Sequence, residues 1–186
     1  MNINIFFILF VAVLFFSGCK EEALPKPKAM LRLEYPNTGY SMLDTGNFKF
    51  QRNQLCEVEL KDDNSITLDY PEMKGSLFIT YKKVEDNNIE KLLIDAQRLS
   101  IEHSSKADGI LPHPFINNKD KVYGMYFEVI GDAASQAQFY VTDSTEHFVT
   151  GSLYFYTKPN YDSIYPAASY LQNDIKKIME TLRWKK

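Results

Sequence analysis

The side chains that could do chemistry in this sequence are few: His103, His113 and His147, the cysteines Cys19 and Cys56, and one turn that reads TDSTEH. The turn is the most suggestive. Asp143, Ser144 and His147 are the residue types of a nucleophilic hydrolase, in which an imidazole takes the serine proton and a carboxylate orients the imidazole. Geometry argues against that use. The base must lie between nucleophile and carboxylate, and neighbours within one tight turn rarely converge on a shared centre. Asp, Ser and Thr are also the residues that stabilise turns by bonding nearby backbone. His113 with Asp108 and Asp120 could offer metal ligands, but their spacing matches no zinc or calcium loop. His103 falls where a helix is expected to end, a place that mildly favours a cation. Cys56 lies in the alternating stretch LCEVEL and reads as a small buried hydrophobe. The sequence contains no HExxH, CxxC, GxSxG or GxGxxG pattern. These residues point to no enzyme, no metal and no cofactor.

Cys19 stands in a different setting. Residues 5–16, IFFILFVAVLFF, form an apolar run. At about 1.5 Å per residue the run spans under about 20 Å, short of a bilayer core of about 30 Å. It reads as the core of a signal peptide and not as a membrane-spanning helix. Ser17 and Gly18 then precede Cys19, and small-small-Cys after such a run resembles the bacterial lipobox. That resemblance implies cleavage before Cys19, a diacylglycerol on its thiol and an acylated N-terminus. One acyl chain alone binds a membrane marginally, whereas two or three anchor stably. Lys20, Glu21 and Glu22 resemble a signal that sends some Bacteroidetes lipoproteins to the outer face of the outer membrane. Residues 23–28, ALPKPK, read as an extended spacer. The expected organisation is a signal peptide over 1–18, a lipidated cysteine and tether over 19–28, and one domain over 29–186. With Cys19 used by lipid, Cys56 has no intramolecular disulfide partner.

The elements that would position these residues follow from periodicity. Alternation predicts strands over 30–35, 48–52, 55–60, 65–69 and 75–82. The period then lengthens. Ile89, Leu92, Leu93, Ala96 and Leu99 share one helical face, and Asn87 followed by Glu90 has capping-box spacing, so a helix is expected over 88–104. Residues 106–120, with two prolines and a glycine, read as a long loop holding one short strand at most, and such loops are often functional. Aromatic strands are expected over 121–130, 136–142 and 147–157. The short linkers GDAAS and DSTE between them favour an antiparallel meander. A last helix is expected from Asp162 or Ser163, with Pro166 in its first turn. Its apolar stripe runs through Ile164, Ala168, Leu171, Ile175, Ile178 and Leu182. Strands that follow one another without alternating helices indicate an α+β fold. The expected form is a mainly antiparallel sheet, with a three-stranded meander in its C-terminal half, covered by two amphipathic helices. The net charge of −3, with no arginine-rich stripe, argues against nucleic acid as a partner.

Several segments, taken in order, carry a family resemblance. They are PKPKAMLRLEYP after the anchor, KADGI after the first helix, KVYGMYFEVIGDAASQAQFYVTDSTEHFVTGSLYFYTKPNYDSIYPA through the meander, and DIKKIMETLRWKK at the end. Together they resemble the GldD gliding motility lipoproteins of the Bacteroidetes, over essentially the whole mature chain. The resemblance implies an envelope lipoprotein that cells need in order to glide. It implies no enzymatic activity, and partners among the other Gld proteins of a machine tied to type IX secretion. The N-terminal lipid would supply the membrane attachment, with the outer membrane favoured. Candidate contact residues are Asp143, Ser144, Thr145 and His147 in the turn, the loop over 131–135, and Trp184. Trp184 reads either as a plug that closes the last helix onto the sheet or as a partner contact. The alternative function is a small ligand or glycan held by the 106–120 loop.

Replacing Cys19 by Ser is expected to leave an unprocessed precursor that takes up no palmitate label. A variant that still labels would remove the lipoprotein assignment.

Overall fold

The computed structural model describes residues 35–85, 87–102, 107–158 and 160–185. Cys19, His103 and all of the expected 30–35 strand except Tyr35 lie outside the described residues. The strands are β1 (Tyr40–Asp44), β2 (Phe48–Asn53), β3 (Glu57–Leu60), β4 (Ser65–Tyr70), β5 (Gly75–Lys83), β6 (Ala107–Asn117), β7 (Val122–Gly131), β8 (Ser135–Thr142), β9 (His147–Phe155) and β10 (Arg183–Trp184). The helices are α1 (Ile89–Glu102) and α2 (Tyr161–Thr181), and a 3-10 turn follows β4 at Pro71–Met73. The fold is α+β, as the order of elements indicates.

Two meanders build the larger sheet, whose order is β3-β4-β5-β9-β8-β7-β6. Every pairing in it is antiparallel. The meanders are joined by the β5–β9 pair, from Gly75 opposite Phe155 to Lys83 opposite His147. After β5 the chain must therefore reach the far edge before β6 can begin. Four strand spacings are about 19 Å, and a helix the length of α1 spans about 21 Å. Leu92 and Ala96 of α1 pack on Tyr140 and Phe148, with Met125 and Phe127 alongside, so the crossing passes over β9, β8 and β7.

The opposite face of the sheet meets α2 and the smaller sheet, whose order is β1-β2-β10. Alternate residues of β4, β5 and β8 supply one side of this core: Ile66, Leu68, Leu77, Ile79, Phe139 and Val141. Leu171, Ile175, Ile178 and Met179 of α2 and Phe48 and Phe50 of β2 supply the other. Tyr140 and Val141 are neighbours in β8 yet belong to different clusters, as a period of two requires. The two helices thus cover opposite faces.

Three expectations need correction. The 106–120 segment is not a long loop, because residues 107–117 form β6, paired with β7 along its length. Pro112 and Pro114 obscured it, since proline is a poor strand former. They are two residues apart, so their missing N–H groups fall on one side of the strand, and β6 lies at the sheet edge, where that side needs no partner. Next, α2 begins at Tyr161, ahead of Asp162 and Ser163, with Asn160 at the cap position making no side-chain bond. The cap comes from elsewhere: Asp132, in the β7–β8 loop, accepts the Tyr161 N–H at 2.7 Å. Finally, the 131–135 loop does not present its polar residues to solvent throughout. Ala133 and Ser135 are buried, and the Gln136 amide donates to the carbonyls of Gly131 and Ala133.

Gly124 shows how closely β7 and β8 approach. A Cβ there would overlap the Tyr140 carbonyl oxygen, and backbone cannot swing away as a side chain can. Gly124→Ala is expected to lower the unfolding free energy by about 1–3 kcal/mol in urea denaturation, the range of core overpacking.

Candidate functional site

The polar turn between β8 and β9 is held by one carboxylate. Asp143 Oδ1 accepts the N–H groups of Thr145, Glu146 and His147 at 2.9–3.0 Å, and Oδ2 accepts the Thr145 hydroxyl. Burial opposes the charge on Asp143, but these donors outweigh it and hold the carboxyl below its ordinary range. Ser144 sits at the turn's tip with φ +69°, and its N–H donates to the Thr142 hydroxyl. Asp143 and Thr145 are thereby committed to backbone geometry, while Ser144, Thr145 and Glu146 remain exposed.

The imidazole of His147 turns away from Ser144 and Asp143. Its Nδ1 lies 2.9 Å from the Tyr81 hydroxyl. Its ring stacks on Trp184, with centroids 5.0 Å apart and planes 5° apart. Asp143 meets the backbone of His147 and not the ring, so these three residues do not form a proton relay. The structure does bring together two candidates that stand far apart in sequence, His147 and Trp184.

Trp184 is placed by the last few residues of the chain. In β10, Arg183 pairs with Lys49 and Trp184 with Phe48. The Trp184 indole N–H donates to the Lys121 carbonyl at 2.9 Å. Arg183 Nε meets Asp120 at 2.8 Å, and Asn117 steadies that carboxylate. Lys185 reaches Asp44 through both carboxylate oxygens at 2.8 Å, and its N–H donates to Asn47. Arg183, Trp184 and Lys185 therefore tie the β1–β2, β6–β7 and β8–β9 turns at one end of the molecule. Trp184 is half-buried against the core, which agrees with the plug and leaves an edge of the ring at the surface.

A second polar cluster escaped the sequence reading. Asp174 of α2 is 3% exposed. It accepts the Tyr40 hydroxyl at 2.7 Å and the Asn53 amide at 2.9 Å. The same amide donates to Tyr170, and Asn53 Oδ1 accepts from Thr38 and the Leu55 N–H. The Tyr70 phenol and the buried thiol of Cys56 lie beside the carboxylate. Burial raises the Cys56 pKa, which fits a packing residue. The available signal was position: Asp174 is three residues after Leu171 and four before Ile178, squarely on the apolar stripe.

Among the described residues, no three His, Cys, Asp or Glu side chains gather to hold a metal ion. His113 pairs loosely with Glu128, at 3.5 Å. A cavity of about 230 Å³ lies between β6, β7 and α2, bounded by His113, Phe115, Tyr126, Lys176 and Met179.

Asp174 gives a test by pH. Burial raises its pKa above the ordinary 3.8, although its hydrogen bonds favour the charged form. Between the unfolded and folded values the folded chain binds more protons. The charged carboxylate therefore costs stability above the folded pKa, and acidification through that pKa removes the cost. Wild type should gain stability relative to Asp174→Asn as pH falls from about 7 toward about 4, in urea melts of both proteins. A difference that stays constant over the range would show that Asp174 is not desolvated.

The comparisons with known proteins bear on the whole chain. No curated protein matches it. The family model for the gliding motility lipoprotein GldD matches residues 20–184. The match takes in the Lys20, Glu21 and Glu22 run, both sheets and the Arg183–Trp184 tie. None of the described helices is long and apolar enough to cross a membrane. The chain belongs to the gliding motility lipoprotein GldD family, and with it takes a role in gliding motility as a membrane-anchored protein of the cell envelope.

Proposed function

We propose that the protein is held in the envelope by lipid on Cys19 and serves gliding, and the linked type IX secretion apparatus, through contacts with other Gld proteins. The family match over residues 20–184 is the observation that carries this reading. In it, residues 1–18 are removed, 19–28 form the tether, and the domain beyond presents a surface. The outer membrane is the favoured location, from the Lys-Glu-Glu run after Cys19. The contact surface is the tied end of the molecule, where Ser144 and Thr145 project beside His147 and Trp184. A polar turn held in one shape by Asp143 suits recognition, because little conformational freedom remains to be lost on binding. The alternative, a small ligand or glycan on the 106–120 segment, would have to use the cavity of about 230 Å³ beside β6. Ligand sites usually exceed about 300 Å³, so contact is preferred.

Two variants separate docking from catalysis. Were His147 a general base, His147→Gln would cost roughly 10²–10⁴-fold in rate, and spreading would collapse. Under the docking reading His147→Gln spreads, while Ser144→Arg, which puts bulk and charge on the exposed tip, abolishes spreading at normal protein abundance. Colony spreading and envelope abundance are the measurements. Non-spreading His147→Gln cells beside spreading Ser144→Arg cells would overturn the proposal.

A further inference from the structure

A cavity of about 730 Å³ opens between the 3-10 turn, the start of β3 and the chain at Tyr35 and Pro36. Its size lies within the about 300–1,000 Å³ common to ligand sites. Tyr35, Pro36, Leu55 and Pro71 line it, with the buried Tyr70 and Met73 at its base. Glu57 and Glu72 complete the described lining, which includes no lysine or arginine. Both glutamates are exposed, and neither forms an ion pair among the described residues. Tyr70 is 2% exposed, and its hydroxyl completes no hydrogen bond. Beyond it lies Asp174, whose hydrogen-bond donors are the neutral Tyr40 and Asn53 and not a cation. The cavity also adjoins a sheet edge, since β3 starts at Glu57 and has a described partner, β4, on one side alone.

We infer that this pocket takes a basic, extended peptide segment of a partner protein. The Tyr35 ring and the exposed Pro36 and Pro71 suit pyrrolidine rings and the aliphatic stems of lysine and arginine. The charged heads then meet Glu57 and Glu72, or lie over the Tyr35 ring. The open edge of β3 can add backbone hydrogen bonds to an extended chain. An anionic headgroup or phosphate would meet two carboxylates and no compensating cation. The inference deepens the contact reading above and rests on it for taking the occupant to be a partner.

The test is a titration of the full-length lipoprotein in detergent micelles with a fluorescein-labelled hexapeptide of alternating proline and lysine, followed by anisotropy. A proline–glutamate hexapeptide is the control. The lysine peptide should bind and the glutamate peptide should not. Glu57→Lys with Glu72→Lys should weaken binding about tenfold, the sum of two rim ion pairs. Glu59→Lys, on the same strand but outside the pocket, should leave binding unchanged. Equal binding of both peptides, or equal loss in the Glu59 variant, would overturn the inference. So would binding that appears only when Lys26 and Lys28 are replaced by Ser, because that would give the pocket to the chain's own tether. The titration does not read motility, so a negative titration beside non-spreading Ser144→Arg cells sinks the pocket and leaves the contact reading standing.

Discussion

Helix α2 has two sheets to serve and one apolar stripe to do it with. Leu171, Ile175, Ile178 and Met179 form one core with residues from β2 and from β4, β5 and β8. Without that stripe the smaller sheet would have no apolar surface to lie on, because a three-stranded sheet with a two-residue edge strand cannot bury a face by itself. The position of α2 also places everything after it. Leu182 is fully buried, and the chain leaves the helix already aligned to pair with β2. A carboxylate on the stripe, Asp174, is tolerated because Tyr40 and Asn53 reach in from the smaller sheet to satisfy it. The seam between helix and sheet is therefore partly polar, and its occupants come from three separate parts of the chain.

The C-terminal tie adds small energies at one place. Lys185 with Asp44 is an exposed ion pair, of the kind that adds little to stability. Arg183 with the less exposed Asp120 is somewhat better placed. The larger share comes from Trp184, which buries part of its indole, satisfies its N–H at Lys121 and stacks on His147. The tie fixes the relative positions of three turns more than it raises stability. A surface assembled from several turns can be recognised as a unit only if those turns do not move independently, a condition the tie meets for the proposed contact.

The same geometry limits what the site can do chemically. His147 is engaged by Tyr81 and Trp184, and Asp143 by backbone N–H groups. Shape and charge are what remain available at this end of the molecule. At the cavity beside β3 the available features are apolar faces and uncompensated negative charge. Both suit binding of other chains.

The local pattern of residues was enough to place most of this fold. Alternation located β2, β3, β4 and β5, aromatic runs between short linkers located β7, β8 and β9, and the 3.6 spacing located both helices, because those signals are set by which residues are buried. The apolar run before Ser17, Gly18 and Cys19 is the segment from which the lipid anchor is proposed, since membrane chemistry acts on a short contiguous segment. What stayed hidden depends on residues distant in sequence. Strand β6 was masked by prolines that only its edge position makes tolerable. Strands β1 and β10 are short, and pairing with β2 is what makes strands of them. The cap of α2 is Asp132, from a loop far upstream. His147 and Trp184 were each legible as unusual residues, but their stacking depends on where α2 delivers the chain. The cluster around Asp174 and the acidic cavity beside β3 draw on residues from separate elements, and no window of sequence contains them. Burial periodicity is written locally, whereas the partner of a polar group is chosen by the packing of the whole.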